Sequence, residues 1–211
     1  MIINVFSLSN SCLASVKQLL FRYFLFFLIT ILISPSGYSQ WMWQNPLPQG
    51  NLLNAVYFTD ANTGFAIGDA GTILKTTDGG NNWFIQANGT TGALTSIDST
   101  DANIGYLVGG NGTILKTMDA GTNWTVQTSG TTEWLYSVYF IDANTGFAVG
   151  EYGTILKTTD AGTNWTIQNS GTTSTLHSVY FSDTNTGFAV GIAGEILRTL
   201  DGGTNWTILT S

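Results

Sequence analysis

The chain has 211 residues, 6 lysines plus arginines against 13 aspartates plus glutamates, a net charge of −7 and one cysteine. A length of this order sets one domain as the prior, and the abundance of aromatic and β-branched residues excludes a disordered chain. The acidic balance excludes a basic surface that tracks phosphates, so nucleic acid is not an expected partner.

Lys17 and Arg22 precede an apolar run from Tyr23 to Ile33, and the small residues Gly37 and Ser39 follow it. This order predicts a secretory signal over residues 1–39 with cleavage after Ser39. The run is shorter than the roughly 20 residues of a spanning helix; a retained anchor is the alternative. A secreted, periplasmic or cell-surface protein of a bacterium is expected, with no membrane insertion after cleavage. Cys12 would leave with the signal, which removes disulfides, thiol catalysis and thiolate metal sites from residues 40–211. The cations left there are Lys75, Lys116, Lys157 and Arg198.

From residue 41 onward the chain repeats. Trp41-Met42-Trp43-Gln44 resembles the last strand of a repeat and predicts an edge strand at about 41–44. The motif T-x-D-x-G-x-N-W then recurs at Asp78, Gly80 and Trp83; Asp119, Gly121 and Trp124; Asp160, Gly162 and Trp165; and Asp201, Gly203 and Trp206, each step being 41 residues. A period held without an insertion marks one supersecondary unit stacking on its neighbours.

In the third unit, Leu135 to Asp142 alternates apolar and polar residues and reads as strand A. Asp142 to Gly146 turns, Phe147 to Gly150 is strand B, Glu151 to Gly153 turns, and Thr154 to Thr158 is strand C. Asp160 to Gly162 turns again, and Trp165 to Gln168 is strand D. Four short strands in 41 residues match a propeller blade of about 40–45 residues. The expected fold is all-β: a β-propeller of four four-stranded antiparallel blades at about 51–86, 92–127, 133–168 and 174–209, either closing alone or forming a partial ring. The many glycines and the lack of a 3.6-residue apolar face exclude helical repeats.

The motif segments resemble Asp-boxes, the turn motif of bacterial-neuraminidase (BNR) repeats. The surrounding pattern, such as V-Y-F-I-D-A-N-T-G-F-A-V-G-E-Y-G-T-I-L-K-T-T-D-A-G-T-N-W over residues 138–165, is similar to the photosystem II stability and assembly factor-like propeller family. The resemblance covers about residues 41 to 211. It implies structural boxes and a non-enzymatic, protein- or surface-binding scaffold. A glycan-binding or glycoside-hydrolysing neuraminidase-like protein is the alternative. Sialidases hold the substrate carboxylate with three arginines, and residues 40–211 contain only Arg198.

No catalytic, metal or cofactor site is expected. Glu133, Glu151 and Glu195 have no spacing that selects a carboxylate pair, and His177 has no Ser/Asp constellation around it. Asp60, Asp142 and Asp183 begin D-x-N-x-G pieces without the bidentate Glu of an EF-hand loop, so turn stabilisation is favoured over calcium. Lys75, Lys116, Lys157 and Arg198 share one phase of the repeat and would form a ring, for which pairing with nearby turn aspartates is expected. Ser99 and Leu107, which break the repeat where Phe and Ala stand elsewhere, are expected to face each other in a compensating exchange.

In an antiparallel blade the B–C turns and D–A connections emerge on one face, and here that face varies. Asp69-Ala70, Gly110-Asn111, Glu151-Tyr152 and Ile192-Ala193 occupy successive B–C turns; Asn54, Thr95, Tyr136 and His177 share one place on strand A. Blade three therefore concentrates Glu133, Trp134, Tyr136, Glu151 and Tyr152, with His177 adjacent. Aromatics flanked by acids form a candidate binding patch for a protein or cell-surface glycan. Self-association that completes a ring is a further expected partner relationship.

Overall fold

Each repeat folds as four strands because its apolar residues alternate and its glycines fall between the runs. The computed structural model describes residues 50–209, all within the unit Gln44–Ser211. The expected signal and the edge strand at about 41–44 lie outside the described residues. Blade one consists of β1 (Leu53–Phe58), β2 (Gly64–Gly68), β3 (Ile73–Thr76) and β4 (Phe84–Ile85). Blade two has β5 (Leu94–Ser99), β6 (Gly105–Gly109), β7 (Ile114–Thr117) and β8 (Thr125–Gln127). Blade three has β9 (Leu135–Phe140), β10 (Gly146–Gly150), β11 (Ile155–Thr158) and β12 (Thr166–Gln168); blade four has β13 (Leu176–Phe181), β14 (Gly187–Gly191), β15 (Ile196–Thr199) and β16 (Thr207–Leu209). Every blade is a four-stranded antiparallel sheet in chain order.

The strands are shorter than their apolar runs for identifiable reasons. β9 stops at Phe140, opposite Gly146, because Ile141 N–H donates to the Thr145 carbonyl across the turn and Asp142 Oδ1 accepts the N–H groups of Asn144 and Thr145 at 2.7 and 2.8 Å. Trp165 stands outside β12, whose last pair is Lys157 with Thr166. Its indole instead meets Phe140 edge-on at 6.0 Å.

The C–D turns are held by side chains. Thr117 Oγ1 donates to Asp119 Oδ1 and accepts from Gly121 N–H, both at 2.9 Å. Asp119 in turn accepts from the backbone and side-chain nitrogens of Asn123 at 2.8 and 2.7 Å. The same bonds recur at Asp78, Asp160 and Asp201. The Asn123 side-chain amide, followed by its backbone N–H, draws the Asp119 carboxyl below the usual range. Asn205 does the same for Asp201, its backbone first, down to about 2. Asp60, Asp142 and Asp183 close the A–B turns in the same manner, each accepting two backbone N–H groups.

The core lies between blades rather than inside them, as expected when each sheet must bury a face against another layer. Phe147, Val149 and Ile155 of blade three meet Leu176, Val179, Phe181 and Trp206 of blade four. Tyr106, Val108 and Ile114 of blade two meet Leu135, Val138, Phe140 and Trp165 in the same way. Phe65, Ile67 and Ile73 of blade one meet Leu94, Leu115 and Trp124. The four blades form an arc that is not closed. Val56 is 64% and Val190 41% exposed at its two ends, where their counterparts Val138 and Val149 are 4% and 0% exposed.

Two expectations about packing are corrected. Ser99 pairs with Gly105, and Leu107 pairs with Ile97, so Ser99 and Leu107 do not oppose each other. In the other blades a phenylalanine ring covers the paired glycine, Phe140 on Gly146 and Phe181 on Gly187. At Ser99 that ring is missing, and the hydroxyl turns to the Asp101 and Ile104 carbonyls. A cavity of about 10 Å³ remains among Tyr57, Phe65, Ile97, Ser99 and Trp124.

The lysines, expected to pair with turn aspartates, bridge blades instead. Lys75 Nζ donates to the Ala120 carbonyl at 2.6 Å, Lys116 to Ala161 at 2.7 Å and Lys157 to Gly202 at 2.7 Å. Each ammonium also lies over the aromatic ring of its own β2-type strand, Lys157 at 5.6 Å from the Phe147 centroid. The acceptor is a backbone dipole on the next blade, which no local spacing announces.

Candidate binding face

The strand-A starts and B–C turns share a face because the turn is tied to the strand by backbone bonds. Glu151 N–H donates to the Trp134 carbonyl at 2.9 Å, as Asp69 N–H does to Leu52 and Gly110 N–H to Ala93. Neighbouring blades are joined there too, since Gly112 N–H donates to the Glu133 carbonyl at 2.8 Å. The surface is thus built from rigid blade ends.

On this frame the structure brings Trp134, Tyr136, Glu151 and His177 together. The Trp134 and Tyr136 rings stack with centroids 6.2 Å apart. Tyr136 and His177, from adjacent blades, lie 5.1 Å apart. Tyr136 Oη donates to Glu151 Oε1 at 3.1 Å. Partial burial, together with this bond to a carboxylate, pushes the Tyr136 phenol above its usual range. Blade one uses the same two positions for Asn54 and Asp69, hydrogen-bonded at 3.0 Å. Blade three has replaced a small polar pair by an aromatic–acid pair.

Tyr152 and Glu133 sit beside this row rather than in it. Tyr152 stands at the tip of the B–C turn, 71% exposed, with a left-handed backbone at φ 51. A bulky residue resists that conformation, at about 1–2 kcal/mol, where blade two places Asn111 at φ 55. Glu133 precedes the row and contributes its backbone, its N–H donating to Thr131 Oγ1 at 3.1 Å.

Sequence reading missed Gly110. The Trp134 indole lies flat against it, so that a Cβ there would come within 3.1 Å of the ring. The signal was present: in the series Asp69, Gly110, Glu151 and Ile192, only one residue has no side chain. Asn111, Gly112, Gln127, Thr131 and Thr132 line an open depression, and Thr132 directly precedes Glu133 in the chain. Among the described residues no group of acidic, histidine or cysteine side chains is arranged to hold a metal ion.

Residues 85–170 match the family described as photosynthesis system II assembly factor YCF48. Among solved structures, the fold is shared with YCF48 bound to D1 peptide (22% identity, TM-score 0.64, 78% of this chain and 55% of that one). It is shared also with YCF48 from Cyanidioschyzon merolae (21% identity, TM-score 0.64, 79% of this chain and 59% of that one). An ancestral GH74 enzyme has the same fold (18% identity, TM-score 0.67, 82% of this chain and 26% of that one). The chain thus spans a little over half the length of the two YCF48 structures. Among curated proteins nothing matches the sequence. The family's repeat is thus matched over residues 85–170, and the four repeats together share the β-propeller blade architecture of the YCF48 structures.

Proposed function

We propose that the chain is a non-enzymatic scaffold, exported from a bacterial cell, that binds a segment of a partner protein on the blade-three face. The observation that carries this reading is the row Trp134–Tyr136–His177 with Glu151 bonded to its centre. Trp134 and His177 are exposed and Tyr136 is half-buried between them; aromatics held open on a rigid frame bury large area at small entropic cost, which is the chemistry of binding hot spots. Tyr152 supports it, because a left-handed turn tip holds a tyrosine only against a conformational cost. The D1 peptide bound by a YCF48 of the same fold is consistent with peptide recognition on such a propeller.

The acidic row and the acidic chain favour a basic segment through electrostatic complementarity. The test is selection from a peptide library sorted into basic, neutral and acidic pools. Enrichment of basic, aromatic-containing peptides by the wild type and not by Trp134→Ala/Tyr136→Ala supports the reading. Equal enrichment by both proteins contradicts it.

The stacked Trp134 and Tyr136 rings also suit a sugar face, and the GH74 enzyme shares the fold. Saturable binding of oligosaccharides, with no peptide enriched, would favour that second reading.

A further inference from the structure

The two ends of the arc are the two unmatched halves of a joint that the chain makes three times internally. On the leading side of each joint stand an aromatic of the B strand and a cation of the C strand, joined in the second and third joints by a serine of the A strand, where blade one has Ala55. On the receiving side stand a glycine and a carbonyl of the C–D turn and a backbone N–H of the A strand. Phe65, Tyr106 and Phe147 lie against Gly121, Gly162 and Gly203, where a Cβ would collide with the ring. Lys75, Lys116 and Lys157 donate to the carbonyls of Ala120, Ala161 and Gly202. Ser96 Oγ accepts Val138 N–H at 3.2 Å, and Ser137 Oγ accepts Val179 N–H at 3.3 Å.

Blade four presents the leading half again, with Phe188, Arg198 and Ser178 at the corresponding places. Its apolar residues Val190 and Ile196 are 41% and 40% exposed, while Val149 and Ile155 are fully buried. Arg198 Nε is buried without a hydrogen-bond partner, at the position where each lysine finds its carbonyl. Blade one presents the receiving half: Gly80, the Gly79 carbonyl and Val56 N–H. A Cβ on Gly80 would meet only Trp83 and Phe58 of its own blade. Leu53, Val56 and Phe58 are 44%, 64% and 42% exposed, against 0%, 4% and 7% for Leu135, Val138 and Phe140.

We propose that blade four of one copy docks on blade one of a second copy, with Phe188 on Gly80, Arg198 on the Gly79 carbonyl and Ser178 on Val56 N–H. The occupant is a second copy because this chain itself carries both halves in matching register. The contact is heterologous, so it stops growing only on closure. Two copies make eight blades, within the range of about 4–8 found in propellers.

The test is the mass of the full chain, as purified, by light scattering, for wild type, Val190→Glu and Val56→Glu. Both substitutions fall on exposed side chains, and unchanged thermal unfolding and near-ultraviolet dichroism establish folding. The wild type is expected at twice the protomer mass and each variant at the protomer mass. Mixing the two variants restores a two-copy particle, since each keeps the half the other has lost. A wild-type monomer at about 100 μM, an oligomer that Val190→Glu leaves intact, or a mixture that stays monomeric overturns the proposal.

Discussion

The Phe147 ring of blade three occupies the space that a side chain on Gly203 of blade four would need. This contact joins an aromatic of one repeat to the turn of the next, and it explains why the turn glycine recurs with the tryptophan. The glycine has a positive φ of 78 and also leaves room for the ring. Gly203→Ala should therefore destabilise by about 2–5 kcal/mol, combining left-handed strain with overpacking. Gly171 has φ 76 but nothing near its Cβ position, so Gly171→Ala should cost only about 1–2 kcal/mol. Urea unfolding of the two variants measures the difference.

Lys157 bridges to a backbone carbonyl rather than to a carboxylate. Lys157→Met should cost about 1.5–3 kcal/mol, the range for a hydrogen bond to a charged group. Because the acceptor is a dipole held within a joint, about 1 M salt should change that cost little, whereas a surface ion pair would be screened. Denaturation at low and high salt distinguishes the two.

The turn aspartates set an acid limit to stability. Their folded pKa values are depressed, to about 2 for Asp201, against about 3.9 in an unfolded chain. Their contribution is therefore complete above about pH 4 and is lost as pH falls toward about 2. Asp98 acts in the opposite direction, because burial pushes its carboxyl up. Melting temperatures of wild type and Asp201→Asn from pH 5 to 2 should converge at the acid end. A constant gap across that range contradicts the assignment.

Tyr152 trades stability for exposure at a left-handed position. Tyr152→Asn should raise stability by about 1 kcal/mol while weakening peptide binding. Parallel unfolding and binding measurements test both halves; unchanged binding would reduce Tyr152 to an ordinary turn residue.

The blade was legible in the sequence because its determinants are local: Thr117, Asp119, Gly121 and Asn123 bond within one turn. The joints were not, because Lys116 and its acceptor Ala161 are 45 residues apart, one repeat plus four. Local spacing offered aspartates and concealed the carbonyl. The candidate face was legible in part, since breaks in the repeat marked Trp134, Tyr136, Glu151, Tyr152 and His177. That Tyr136 would bond Glu151, and that Trp134 would lie on Gly110, depended on how neighbouring blade ends meet.

The most direct measurement is the dissociation constant of one library-selected basic peptide for wild type and for Trp134→Ala/Tyr136→Ala/Tyr152→Ala, with melting temperatures recorded alongside. A loss of at least about thirtyfold, as expected for hot-spot aromatics, with the fold intact is the predicted result. An affinity within about twofold of wild type would contradict the blade-three face as the binding site.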